Sequence, residues 1–201
     1  AASIGGTGSG FSVPVATLAS GTTNTAVGYQ ALTANTVGTG NTSNGYLALS
    51  ANTTGTNNAA FGASALALQT TSNQNTAVGQ NAGYGLVGSA NTAVGFKALF
   101  TSNGNNNNTA VGNQALTANT AANNTALGGG ALFGNTSGAN NIALGLNAGY
   151  GNASANANTT GSNNTYIGYQ TVGSASGNTN EMVIGYNAVG NGSNTTTIGN
   201  S

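Results

Sequence analysis

One phrase returns along this chain at a nearly fixed interval, and that recurrence limits the possible folds more than any other feature. Asn24-Thr25-Ala26-Val27-Gly28 comes back as Asn75 to Gly79, Asn91 to Gly95 and Asn108 to Gly112, then with Leu127 in place of Val as Asn124 to Gly128. Looser copies end at Gly45, Gly62, Gly145, Gly168, Gly185 and Gly199. Successive copies are 17, 17, 17, 16, 17, 16, 17, 23, 17 and 14 residues apart. A period of this size marks a solenoid, in which each repeat is one unit that buries its apolar side only by stacking on its neighbours. A disordered Asn-rich polymer is the alternative for such a composition, but a polymer of that kind holds no register over ten steps.

A second phrase follows the first. Three residues after the glycine comes Ala, usually with Leu behind it, as in Ala31-Leu32, Ala65-Leu66 and Ala115-Leu116. Two copies carry Gly instead of Leu, Ala82-Gly83-Tyr84 and Ala148-Gly149-Tyr150. Polar Asn, Thr, Gly and Ser fill the intervals. Gly, Asn and Thr interrupt every potential apolar helical turn, so each repeat reads as short strand, tight glycine turn, short strand and polar loop. The expected fold is all-β: a parallel β-roll or β-solenoid of about ten coils of 14–17 residues. Coils would stack at the spacing of paired strands, about 4.8 Å.

Alternation along the strand predicts its facing. Val27, Phe61, Val78, Val94, Val111, Leu127, Leu144, Ile167, Ile184 and Ile198 form one apolar column, expected inside the coil. The neighbouring column is alanine from Ala26 to Ala143, where a monomer with a solvated face would carry charge. Both faces therefore read as buried, one in the coil and one against another protomer. The repeated glycine predicts positive φ or a close backbone approach at a corner. The Asn column from Asn24 to Asn164 predicts amides bonded from coil to coil, as in stacked cross-β ladders.

Composition removes much chemistry. The 201 residues include one Lys or Arg (Lys97), one Asp or Glu (Glu181), and no His or Cys. Transition metals want Cys, His or several carboxylates, so no metal site and no cofactor is expected. General acid–base catalysis needs groups that titrate near neutrality, so no enzyme and no catalytic residue is expected. Nucleic acid needs several cations to displace counterions, so it is not an expected partner. No apolar run reaches the roughly 18 residues of a membrane span, and the start lacks the basic and apolar regions of a signal peptide. Lys97 and Glu181 fall about five coils apart and read as solvated surface charges.

The Asn-Thr-Ala-Val-Gly-Tyr-Gln-Ala-Leu phrase (Asn24 to Leu32) resembles the head repeats of trimeric autotransporter adhesins. It is more similar still to tail-fibre and surface-fibre proteins whose precursors end in an endosialidase-type intramolecular chaperone. Their shafts close with a phrase like Asn180-Glu181-Met182-Val183-Ile184-Gly185-Tyr186. The resemblance spans about residues 24–201 and implies a left-handed, homotrimeric β-roll at an extracellular, cell-surface or virion location. Two departures stand out: the repeat is longer than in adhesin heads, and the sequence stops without the chaperone. Because such chaperones leave by self-cleavage at a serine, the resemblance makes Ser201 a candidate processed C-terminus, the alternative being an arbitrary chain end.

Outside the repeat shaft, residues 1–23 hold the single Pro14 and the alternating Phe11, Val13 and Val15. They read as an extended N-terminal cap on the first coil, or as a strand that docks on a neighbouring subunit and joins rods end to end. The leading expectation for function is a rigid structural fibre of three identical chains. The alternative is a receptor- or glycan-binding adhesin head, whose contact residues would be the aromatics that follow the glycine: Tyr29, Tyr46, Phe96, Tyr169 and Tyr186. Those rings read equally as fillers of an inter-protomer seam. A minor alternative is an ice-binding solenoid, because Thr25, Thr42, Thr76, Thr92, Thr109, Thr125 and Thr165 also form a column, interrupted by Ala59 and Ile142.

Overall fold

The computed structural model describes residues 23–101, 105–150 and 158–199. The expected cap or docking strand and Ser201 therefore lie outside the described residues, apart from Thr23. Eleven three-residue strands run in chain order: β1 Thr25–Val27, β2 Thr42–Asn44, β3 Ala59–Phe61, β4 Thr76–Val78, β5 Thr92–Val94 and β6 Thr109–Val111. They continue with β7 Thr125–Leu127, β8 Ile142–Leu144, β9 Thr165–Ile167, β10 Met182–Ile184 and β11 Thr196–Ile198. Each strand pairs in parallel with the next, in one sheet ordered β1 to β11. The register sets repeat on repeat, as in Thr76↔Thr92, Ala77↔Ala93 and Val78↔Val94. The result is an all-β parallel solenoid of about ten turns, with no helix among the described residues.

The facing of the strands is the reverse of the expectation. The central alanines point inward and are buried, from Ala60 to Ala143, while the valine-type column points out. Phe61 is 41% exposed, Leu127 47% and Ile198 76%. The cause is the opposite wall. Leu32, Leu49, Leu66, Leu99, Leu116 and Leu132 are buried there, and a leucine reaching across a thin coil leaves room beneath the strand for little more than a methyl group.

That opposite wall is not a second strand. In a strand Ala31 and Leu32 would face opposite ways, yet both are buried. The backbone manages this by placing the leucines in the left-handed region, with φ of 53° at Leu32 and 48° at Leu99. Left-handed backbone costs an L-residue roughly 1–2 kcal/mol, which the buried side chain offsets. Where the sequence puts Gly83 and Gly149, φ is 58° and 61°, and glycine adopts it freely. The volume lost is refilled from elsewhere. A Cβ on Gly83 would sit 3.6 Å from Leu86, and one on Gly149 would sit 2.8 Å from the Tyr166 ring. Leu86 replaces an inward amide of the other coils, and Tyr166 replaces an inward alanine; both are fully buried.

The corner glycines are required twice over. Gly28 has φ +125°, and a Cβ there would lie 2.5 Å from the carbonyl oxygen of Gly45 in the next coil. The same stacking continues from Gly45 through Gly168. The long 23-residue step is confined by register. Asn135 is joined to Asn158, whose Nδ2 donates to its Oδ1 at 3.4 Å. The extra residues thus fall between Tyr150 and Asn158, and residues 151–157 lie outside the described ones.

Candidate functional site: ladders inside, two apolar tracts outside

The Asn column is a structural ladder. Asn75 is typical: its backbone N–H donates to Asn58 Oδ1 at 2.9 Å, and its own Oδ1 accepts from the Asn91 backbone N–H at 2.8 Å. Its Nδ2 donates to the Gly88 carbonyl at 2.7 Å and to Gln69 Oε1 at 3.0 Å. The inward asparagines from Asn41 to Asn164 are at most 1% exposed, so they offer no edge to a polar ligand. A second inward amide column, which the sequence reading missed, runs through Asn52, Gln69, Asn119, Asn135 and Asn158. Its signal was present: Asn52, Gln69, Asn119 and Asn135 each stand three residues after the Leu of the Ala-Leu phrase, and only Asn158, beyond the long step, breaks that spacing. The two columns share acceptors, so the Gly55 carbonyl takes Nδ2 donors from both Asn41 (2.8 Å) and Asn52 (3.1 Å).

Glu181 corrects another expectation. It is not a solvated surface charge but is 1% exposed. It occupies the next rung of the first ladder, its N–H donating to Asn164 Oδ1 at 2.8 Å. Its Oε1 accepts from the Gly192 N–H at 2.8 Å and its Oε2 from Asn178 Nδ2 at 3.3 Å. Burial, and then the charge of Glu181, raise the ionisation of the Tyr166 phenol well above its ordinary range, and the Tyr166 hydroxyl has no hydrogen-bond partner. Lys97 is half-buried, its ammonium 5.2 Å from the ring centroids of both Phe96 and Phe100. That is within reach of a cation–π attraction.

Two apolar tracts lie side by side on the outside, across the glycine corner. The first is the outward face of the sheet, where the Val/Leu/Ile column lies beside the threonine column. Alternate residues of one strand are about 6.6 Å apart, and both columns are exposed or half-buried. Ile142 and Met182 stand in the threonine column at 48% and 39% exposure and add to the apolar surface.

The second tract carries all five aromatics singled out in the sequence. Tyr29 and Tyr46 stack at 5.7 Å between centroids with 10° between planes, and Tyr169 and Tyr186 at 5.3 Å with 13°. Phe96 stands between the two pairs, under Lys97. All five are exposed. A further aromatic column, with stacked pairs Tyr84–Phe100 and Phe133–Tyr150, follows the buried Ala-Leu or Ala-Gly phrase. Comparison of the chain with protein-family models, curated proteins and solved structures gives no match.

Proposed function

We propose that this chain is a rigid segment of an extracellular fibre, on a cell surface or a virion, in which three copies wind as left-handed rolls around a common axis. The observation that carries this reading is the apolar outward face of the eleven-stranded sheet. A solvated sheet face alternates apolar-in with polar-out, whereas here Phe61, Val78, Leu127, Leu144 and Ile198 point outward at 40–76% exposure. Contiguous apolar surface of this extent marks an interaction site on a soluble protein. The occupant is another copy, because the surface repeats with the coil period and only a partner of the same period matches it rung for rung.

Three copies fit better than two. Two unlike apolar tracts, the sheet face and the aromatic column that follows the glycine, lie on either side of the glycine corner. A two-fold axis pairs one patch with itself and leaves the other in water. A cyclic arrangement sets the aromatic column of one chain against the sheet face of the next and closes after three. The role is mechanical: among the described residues the one carboxylate, Glu181, is buried in the ladder and the one ammonium, Lys97, lies over Phe96 and Phe100. No helix among the described residues is long and apolar enough to cross a membrane.

The chain has no cysteine, so a single Val94→Cys carries a spin label at one known place. Dipolar electron resonance should give a short inter-label distance for Val94→Cys and a much longer one for Thr53→Cys on the loop side. Absence of any inter-chain coupling at Val94 would refute the seam.

The stacked tyrosine pairs favour a second reading, a glycan- or receptor-binding head, because exposed rings with free hydroxyls suit sugar faces. Tyr29→Ala with Tyr169→Ala separates the two. Loss of assembly assigns the rings to the seam, and intact trimers with lost cell binding assign them to recognition. Ice binding needs a broad exposed array, and the threonine column has an apolar neighbour rather than a second threonine column. A thermal hysteresis measurement on the assembled protein tests it.

A further inference from the structure

We propose that Asn191–Gly192 is a self-modifying site, in which the buried Glu181 carboxylate promotes closure of the Asn191 side chain onto the Gly192 nitrogen with loss of ammonia. The sequence contains three Asn-Gly pairs, Asn44–Gly45, Asn103–Gly104 and Asn191–Gly192. In such a pair the glycine nitrogen has no side chain beside it, so the preceding amide carbon is open to attack and a five-membered imide can form. What differs between the pairs is the partner of the glycine N–H. At Gly45 it donates to the Val27 carbonyl at 2.8 Å inside the sheet ladder, and a carbonyl is no base. At Gly192 it donates to Glu181 Oε1 at 2.8 Å, the carboxylate of the chain's single acidic residue. Asn103–Gly104 lies outside the described residues.

A carboxylate within hydrogen-bond reach of the proton it must take meets the geometric requirement for a general base. Glu181 is held there by burial and by Asn178 Nδ2 at 3.3 Å on its other oxygen. No cation stands against it among the described residues, Lys97 being five coils away. The ionisable group beside it is Tyr166, whose phenol is buried and stays protonated. Asn191 itself is exposed, and its Nδ2 donates to Thr197 Oγ1 at 3.1 Å, which holds the leaving amide in one position.

The step balances without any oxidant or reductant. The Gly192 nitrogen bonds to Asn191 Cγ while its proton passes to Glu181 Oε1. The Cγ–Nδ2 bond then breaks, and the departing nitrogen takes that proton and leaves as ammonia, which regenerates the carboxylate. Water afterwards opens the imide at either carbonyl, giving aspartate or isoaspartate at 191. The product carries a second negative charge close to the one already buried at Glu181, and like charges at short range repel. The reaction thereby loosens the coil that ends in β11 and acts as a slow internal clock at this end of the sheet.

The test follows amide-to-acid conversion at each Asn-Gly pair in the intact protein, by peptide mass spectrometry after incubation between about pH 5 and pH 7. Conversion at Asn191 should exceed that at Asn44 and that of a free peptide spanning residues 188–195 by about a hundredfold, the lower end of the range for a positioned base. Its rate should change less across this pH interval than the peptide's, which falls with hydroxide. Glu181→Gln keeps an oxygen acceptor for the Gly192 N–H but removes the base, and should bring Asn191 down to the peptide rate. If Glu181→Gln fails to fold, the wild-type pH profile still decides. A wild-type rate that tracks hydroxide, or an Asn191 no faster than the peptide, overturns the proposal, as does a folded Glu181→Gln protein that converts at the wild-type rate.

Discussion

Replacing Asn75 by Asp changes one atom in the interior and, once the aspartate is ionised, should cost more than removing the side chain. Asn75 Oδ1 accepts from the Asn91 backbone N–H at 2.8 Å, and an aspartate oxygen keeps that bond. The other position changes sign. Nδ2 now donates to the Gly88 carbonyl at 2.7 Å and to Gln69 Oε1 at 3.0 Å, so an aspartate there sets a charged oxygen against two acceptors at full burial. Desolvation and two facing dipoles both raise the carboxyl's pKa, by roughly three units for a group so placed. At 1.36 kcal/mol per unit this is about 4 kcal/mol lost at high pH.

The folded pKa lies above the unfolded one. The penalty is therefore absent below about pH 4, grows as pH rises, and is complete above the folded value near 7. At low pH the protonated Asp donates one hydrogen bond where Asn donated two, a residual cost of about 1 kcal/mol. Asn75→Ala instead orphans the Asn91 N–H, the Gly88 carbonyl and Gln69 Oε1 and costs about 3 kcal/mol or more at every pH. Denaturant unfolding of the three proteins at about pH 4 and about pH 8, followed by circular dichroism, reads both the size and the crossing of these effects. An Asn75→Asp protein as stable as wild type at pH 8, or equally weakened at both pH values, would refute the ladder account.

Ala110→Leu should destabilise by about 1–3 kcal/mol through overpacking against the leucine wall. Val111→Ala, one residue away on the outward face, should leave each coil folded and weaken assembly instead; thermal melts with light scattering separate the two. Leu86→Ala should cost about 2–5 kcal/mol, because Gly83 leaves nothing else to fill that coil, and a melt unchanged by it would show the compensation to be wrong. Raising sodium chloride from low to high concentration should barely move the unfolding midpoint, since screening acts on charges and the chain holds one Lys and one Glu.

The period, the parallel stacking, the glycine corners and the first amide ladder were legible because each is a direct consequence of repetition at fixed spacing. The facing of the strands was not. Val27 and Ala26 are both apolar and both recur, so alternation defines two faces without saying which is inside. The answer lies in the opposite wall, where the size of the leucines leaves space for alanine alone. The second wall was misread as a strand because its burial of consecutive Ala31 and Leu32 depends on left-handed leucines, a conformation that composition argues against. Glu181 was readable in retrospect, being 17 residues past Asn164 on the ladder, but a charged residue in a polar chain suggested the surface. The aromatic column that follows the glycine was visible as a recurrence, whereas the second column through Tyr84, Phe100, Phe133 and Tyr150, and the pairing of both into stacks on adjacent coils, depended on the register.

The central claim is that the outward apolar face is covered by further copies of the chain. Equilibrium sedimentation in native buffer tests it most directly. The account predicts roughly three times the 19.1 kDa chain mass, or a multiple of that if rods join end to end. A folded species at the mass of one chain, stable at micromolar concentration with its valine-type column and tyrosine pairs in water, would contradict it.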